Sequence, residues 1–466
     1  MKAIDIIKKS TVSATFGDIQ AEVSGICCDS RKVQPGELFV AVDGTKLKGS
    51  DFVADAMAKG AAAAVVTDRR GVAMIADSFY GHPSGRLKLV GITGTNGKTT
   101  TVTLLYNMMR SLGYECGLLS TIANFVGSKR FETENTTGDP ITINRLLAEM
   151  VDAGCEYCFM EVSSIGLEQE RVAGLDFAVG IFSNLTHDHL DYHGTFAEYL
   201  RCKKLFFDNL PKGATALINA DDRNGKVMVQ NTRAKVETFS CRAAADHTCR
   251  ILEQSFDGML LRIDGTEVWT RLVGAHNASN LLAIYCTALA LGTPADEALV
   301  ALSSLESAKG RLENIRGPKD LNVVIDYAHT PDAMENVLRT LRDIAPERTL
   351  ICLFGCGGDR DKTKRPEMAA VAEKYADRII VTSDNSRTER TEDIIEDIKK
   401  GFTPAGLAKS ISIADRKEAI RAAIMLAPQA ATILLAGKGH ETYQILGTVK
   451  NHFDEREIVD EVFKTL

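Results

Sequence analysis

The segment Gly91-Ile92-Thr93-Gly94-Thr95-Asn96-Gly97-Lys98-Thr99-Thr100 closes an apolar run, Leu87 to Thr93, and opens a helical pattern, Thr101 to Leu112. Strand, glycine-rich loop and helix in that order make an anion cradle: glycines let backbone N–H groups approach phosphate oxygens, and the helix N-terminus favours negative charge. In such a loop Lys98 reaches the outer phosphates and the Thr99 hydroxyl can ligate Mg2+. Gly94, Thr95, Asn96, Gly97 and Thr100 complete a predicted ATP site. Ile92 stands where the strict motif has a glycine, so the strand-loop-helix context carries the reading against a plain glycine turn.

This loop demands a parallel α/β sheet, and the rest of the chain supplies one. Apolar runs Cys158 to Val162, Val179 to Asn184 and Ala216 to Asn219 alternate with helical patterns, as in a parallel sheet with crossovers. Before them, Leu38 to Val42 and Ala61 to Val66 mark a small α/β unit ending at Tyr80-Gly81-His82-Pro83-Ser84-Gly85. After them, Asn322 to Tyr327, Thr349 to Phe354, Arg378 to Thr382 and Thr432 to Ala436 read as a second doubly wound sheet. The expected organisation is three domains, residues 1–85, 86–315 and 316–466, with Gly317-Pro318-Lys319-Asp320 as the last linker. Facing α/β domains place strand ends around one cleft, so the chemistry is expected between them.

Composition limits the partners. The 466 residues suffice for about three domains at roughly 150 residues each. The 55 Lys and Arg against 62 Asp and Glu leave a formal charge of -7, so no global basic field attracts nucleic acid or anionic lipid. Apolar runs fall short of the ~20 residues of a spanning helix, and Met1 to Lys9 reads as an amphipathic turn without the apolar core of a secretion signal. A cytoplasmic chain is expected, with neither nucleic acid, membrane insertion nor an obligate protein partner. The 11 cysteines are scattered through apolar segments, which fits reduced, packed thiols. Cys155-Glu156-Tyr157-Cys158 lacks the second pair that a four-thiolate zinc site requires.

Other candidates are ambiguous as isolated residues. Asn277 and Asn280 open a helical stretch and suit either a cap or a base contact. Asp326 to Pro331 follows a strand, as a ligand contact or a turn. His189 lies among neighbouring histidines that suit a hydrogen-bonded turn, Lys203-Lys204 suits a solvated helix face, and Arg171 suits a surface.

The order of these segments decides. Asp29-Ser30-Arg31, Pro35 to Ala41, the phosphate loop, Asn135-Thr136-Thr137, Met160-Glu161-Val162-Ser163-Ser164, Asn184 to His193, Asn277, Asn280, Gly310-Arg311, Asp326 to Pro331 and Gly437-Lys438-Gly439-His440-Glu441 resemble the Mur ligase family over essentially the whole length. The resemblance implies an N-terminal UDP-binding domain, a central P-loop ATPase-like domain and a C-terminal Rossmann-like domain. It further implies ATP-dependent ligation through an acyl phosphate, with Mg2+. The Asp-Ser-Arg start and the Gly-Lys-Gly-His-Glu segment look like the members that extend UDP-N-acetylmuramoyl-L-alanyl-D-glutamate by the third residue of the stem peptide.

By that resemblance Lys98, Glu161, His189 and Lys203 are catalytic, and Thr99, Glu161, His189 and a carbamylated Lys203 hold metal. Asn277, Asn280, Arg311, Asp326 and His329 join the ATP site. Ser30, Arg31, Asn135, Thr136, Thr137, Ser163, Gln169 and Arg171 take the UDP-linked precursor. Arg360, Asp384, Asn385, Arg387, Gly437 and Glu441 take diaminopimelate. Three departures are notable: Ile165 where the family has His, Lys48-Gly49-Ser50-Asp51 where it has Asp-Gly-His, and Ser386 where the diaminopimelate-adding members have proline. Without a ring fixing φ, the last predicts a looser loop. Asn385 and Arg387 nonetheless favour diaminopimelate over L-lysine, because a guanidinium binds the extra carboxylate bidentately. A folylpolyglutamate synthetase-like ligase lacks the Asp-Ser-Arg domain, and a non-catalytic sensor of UDP precursors has no need of Lys98, Glu161, His189 and Lys203 together.

Overall fold

The computed structural model describes residues 1–43, 48–186, 188, 190–307 and 309–466, and the side chains of residues 190 and 191 are outside that description. Its strands form three main sheets and a small hairpin among the described residues. The first sheet has the strands Val12–Gly17, Ala63–Thr67, Leu38–Val42 and Ile26–Cys27 side by side. The second is built on parallel strands Lys88–Thr93, Tyr157–Glu161, Phe177–Phe182 and Thr215–Asn219. The third pairs Leu321–Asp326, Thr432–Ala436, Leu350–Phe354 and Arg378–Val381 in parallel.

The central strands are apolar on both faces because both faces are covered. In Lys88–Thr93, Val90 and Ile92 pack with helices Lys98–Ser111 and Ala275–Ala290. Leu89 turns the other way, toward helices Pro140–Asp152 and Phe196–Asp208. Gly91 has no side chain for a packing reason: a Cβ there would come within 2.6 Å of both Phe177 and Phe206. Those rings meet edge to face at 4.9 Å, so the glycine admits an aromatic pair beneath the phosphate loop. Cys155 and Cys158 are buried, and burial pushes both thiols above their ordinary value, as packed residues require.

Two features differ from the sequence reading. Glu313–Gly317 pairs antiparallel with Leu321–Asp326, so Gly317 to Asp320 form the turn of a hairpin inside the third sheet rather than a linker. The second sheet also continues past Thr215–Asn219 through Lys235–Ser240 into an antiparallel meander, His247–Ser255, Gly258–Ile263 and Thr266–Thr270. No helix among the described residues is long and apolar enough to cross a membrane.

Candidate active site

The phosphate loop is shaped by two glycines with positive φ, Gly94 at 155° and Gly97 at 89°. A Cβ on Gly94 would lie 1.9 Å from Ser183 Oγ, and one on Gly97 would lie 2.5 Å from Asn280 Oδ1. Helix Lys98–Ser111 begins directly after Gly97, with Thr99 and Thr100 buried in its first turn. Lys98 Nζ donates to the carbonyls of Gly94 and Thr95, each at 2.9 Å. Lys203 Nζ also donates to Gly94 O, at 2.9 Å, and stands 4.6 Å from the centre of the Tyr199 ring. Lys203 is 1% exposed, and burial, assisted by the charge of Lys98, holds its amine well below the ordinary lysine value. Burial also lowers Lys98, against the opposing pull of Glu161 and Asp188.

Glu161 ends the strand Tyr157–Glu161, beside the loop. Its Oε1 accepts from Thr121 N at 2.8 Å and takes the one proton of Thr121 Oγ1 at 3.1 Å. Its Oε2 is buried with no hydrogen-bond partner among the described residues. A buried carboxylate oxygen without a donor is costly, and a cation is the group that satisfies it. Thr136 Oγ1 lies 3.1 Å from Thr121 Oγ1, where its own proton can be given, while Thr137 Oγ1 donates to Glu161 O at 2.9 Å and accepts from Ser163 N at 2.9 Å. Arg171 is no loose surface residue: Nη1 donates to Thr137 O at 2.6 Å, and Nε and Nη2 donate to Gln169 Oε1 at 3.0 and 2.7 Å. Asn135 is exposed nearby in the chain. His189 lies outside the described residues.

Asn277 and Asn280 are not the helix cap, a place taken by Gly274. Asn277 Nδ2 donates to Val273 O at 2.9 Å, and Asn277 Oδ1 accepts from Asn280 Nδ2 at 3.2 Å, which leaves Asn280 Oδ1 facing Gly97. Across the cleft, Asn96 Nδ2 donates to Asp332 Oδ2 at 2.7 Å, joining the phosphate loop to the first turn of helix Pro331–Ile344. Arg311 lies over the Tyr327 ring at 4.8 Å, and that ring also touches His329 and His440. Asp326 accepts from Leu312 N and Ala328 N, and His329 Nδ1 lies 2.8 Å from Tyr327 O.

A third cluster lies at the ends of Arg378–Val381 and Thr432–Ala436. Asn385 Nδ2 donates to Glu441 Oε2 at 2.9 Å, and Gly437 adopts a φ of 113° with its Cα face toward Asp384. Arg387 Nη1 donates to Gly358 O at 2.9 Å, and a Cβ on Gly357 would lie 3.1 Å from Arg387 Nη1 and 3.8 Å from Arg360 Cγ. The Arg387 guanidinium and the Arg360 stem therefore both border Gly357. Ser386, in place of proline, is buried; its carbonyl accepts from Glu389 N, and Arg387 N donates to Ile445 O. Ser30 and Arg31 stand apart on the first sheet's side, with Arg31 Nε and Nη2 each 2.9 Å from the carboxylate of Asp29. The sequence reading gave no role to Thr121, Asp332 or Lys438. Only Lys438 carried a local signal, flanking glycines after a buried strand.

The matched family models follow the three sheets. The Mur ligase family, catalytic domain, matches residues 22–84; the Mur ligase middle domain matches 92–288; the Mur ligase, glutamate ligase domain, matches 310–439. The chain belongs to the Mur ligase family. Among its relatives, the UDP-N-acetylmuramoyl-L-alanyl-D-glutamate--2,6-diaminopimelate ligase of Phocaeicola vulgatus is 50% identical over 99% of both chains. The protein of the same name from Cytophaga hutchinsonii is 47% identical over 100% of both. A solved structure of a ligase with this name superposes with a TM-score of 0.71 at 30% identity, covering 100% of this chain and 99% of that one. Mycobacterium tuberculosis folylpolyglutamate synthase complexed with ADP has a TM-score of 0.65 at 18% identity, covering 79% of this chain and 91% of that one, a likeness of fold alone.

Proposed function

We propose that this chain is an ATP-dependent ligase that joins meso-2,6-diaminopimelate to UDP-N-acetylmuramoyl-L-alanyl-D-glutamate, a step of peptidoglycan precursor synthesis. The observation that carries the reading is the convergence of Lys98 and Lys203 on one carbonyl, Gly94 O, in a glycine-shaped phosphate loop. Full-length similarity to ligases of that name supports it.

In this reading residues 1–85 take the uridine end through Ser30 and Arg31. The second sheet and its helices hold ATP and the muramoyl-dipeptide, and the third-sheet domain, which begins before the strand Glu313–Gly317, presents the amino acid. Lys98 and the loop N–H groups hold the phosphates, with Asn277, Asn280, Arg311, Asp326 and His329 completing the nucleotide site. Thr136, Thr137, Ser163, Gln169 and Arg171 place the dipeptide so that its γ-carboxylate attacks the terminal phosphorus. A carboxyl oxygen bonds to phosphorus, ADP leaves, and the amine of diaminopimelate then attacks the acyl carbon. A proton leaves the nitrogen, the tetrahedral centre collapses, and inorganic phosphate departs.

Mg2+ suits the residues present, since Glu161 Oε2 is an unmatched buried anion whose charge reaches Lys98 of the phosphate loop. When bound there it neutralises charge on the transferring phosphoryl oxygens. Thr99, Glu161, His189 and Lys203 are its proposed holders, the last as a carbamate. Lowered basicity suits that modification: a neutral amine bonds to the carbon of CO2, releases a proton and becomes an anion. The proposed place of action is the cytoplasm, with the nucleotide-linked precursor and diaminopimelate as the partners.

The test is phosphate release with ATP, precursor and a panel of amines. Release only when all three are present, with diaminopimelate preferred over L-lysine, is expected. Equal use of both amines would overturn the amino-acid assignment, and release without precursor would overturn the ligase.

A further inference from the structure

We propose that Lys438 is the positioning residue of the amino-acid site, fixing Asn385 and Glu441 in the one arrangement that receives diaminopimelate. The inference rests on the placement of that site at Asp384 to Arg387 and Gly437 to Glu441, and assigns a role to a side chain set between the two segments.

Lys438 is fully buried, which is rare for lysine unless every donor is matched. Its Nζ lies 3.0 Å from Glu441 Oε2, 3.2 Å from Asn385 Oδ1 and 3.4 Å from Asp384 Oδ1. The Tyr443 and Phe453 rings stand 5.7 and 5.9 Å from it. Gly437 and Gly439, with φ of 113° and 54°, turn the backbone sharply on either side.

The consequence is an oriented amide. Asn385 Oδ1 accepts from Lys438 Nζ and from Ile445 N at 2.9 Å, so its Nδ2 must point away, where it donates to Glu441 Oε2. Glu441 Oε2 thus receives both Asn385 and Lys438. Asp384 is held too: burial alone raises a carboxylic acid, yet Lys438 and then Arg416 keep Asp384 below the ordinary value. Arg416 is itself paired with Glu455, a buried ion pair of its own. Lys438 therefore bridges two carboxylates, Asp384 and Glu441, and ties the loop after Arg378–Val381 to the segment after Thr432–Ala436.

The test compares Lys438→Met, Asn385→Ala, the double variant and Arg387→Ala in the full chain. Steady-state constants for each substrate and thermal unfolding are measured. Lys438→Met is expected to raise KM for diaminopimelate about tenfold or more while ATP and precursor KM stay within about twofold. Because Lys438 and Asn385 hold the same Glu441 oxygen and each other, the double variant is expected to lose less than the product of the two single losses. Fully multiplicative losses, or a fall in kcat with every KM unchanged, would overturn the positioning role. If Lys438→Met does not fold, Asn385→Ala carries the test, and an unchanged diaminopimelate KM in that folded variant overturns the proposal. An unchanged KM in Lys438→Met with a raised one in Arg387→Ala refutes Lys438 alone, whereas no change in any variant refutes the placement of the amino-acid site.

Discussion

Lys203 and Lys204 are adjacent and chemically identical, yet helix Phe196–Asp208 sends them to different places. Lys203 Nζ is buried on Gly94 O, whereas Lys204 Nζ pairs with Asp208 four residues on, at 2.5 Å. An (i, i+4) ion pair of that kind contributes only about 0.3 to 0.5 kcal/mol. Lys204→Ala is therefore expected to leave turnover unchanged, with a loss of stability that comes from this pair and the packed lysine stem and not from the site. Lys203→Ala is expected to lose activity by orders of magnitude and to recover part of it when a short carboxylate is added, the anion standing in for a carbamate. Turnover of both variants with and without acetate decides the matter, and rescue of Lys204→Ala instead would reverse the assignment of the pair. Local pattern left these two lysines equivalent, and only the family resemblance singled out Lys203, because helical phase relative to a loop more than a hundred residues earlier is set by packing.

The same contrast holds for elements. Buried parallel strands were readable because burial on both faces writes them as continuous apolar runs. The meander from His247 to Thr270 was not, since its strands mix Arg250, Glu253, Gln254 and Arg262 with apolar residues. Its signal was the turns: Asp264 and Gly265 both have positive φ, 45° and 90°, as a tight two-residue hairpin requires. Site residues joined by topology were likewise hidden, because Thr432–Ala436 lies between Leu321–Asp326 and Leu350–Phe354, strands distant from it in sequence. The phosphate loop shows how elements constrain one residue: the N-terminal part of helix Ala275–Ala290 brings Asn280 against Gly97, whose φ is 89°. Gly97→Ala is expected to cost about 1 to 2 kcal/mol from the left-handed conformation alone. It is also expected to raise ATP KM at least about tenfold, since the new methyl displaces Asn280. Urea unfolding and ATP saturation curves measure both, and a stable variant with normal ATP use would show that the loop tolerates a side chain there.

At the scale of the whole molecule, the second and third sheets meet around Arg311 and the Asn96 to Asp332 bond, and this meeting buries imidazoles. His276 and His329 are each lowered to about 4 and His440 to about 3, from an ordinary 6.5, burial being the largest cause and Arg311 contributing to all three. These folded values lie below the unfolded one, so between pH 6.5 and about 4 the unfolded chain binds protons that the folded chain refuses. Stability is then fully present above the ordinary histidine value and falls as pH drops, by up to about 1.4 kcal/mol per pH unit for each histidine. Carboxylates held low, such as Glu389 at about 2 beside Arg365, add their loss only below the ordinary carboxylate range, which separates the two effects. The unfolding temperature is therefore expected to fall steadily between about pH 7 and about pH 5, and His440→Gln, which cannot titrate there, to reduce that slope by roughly a third. An unfolding temperature constant across this interval would mean that the imidazoles take up protons in the folded state, and that the cleft around Arg311 opens to water far more than its packing allows.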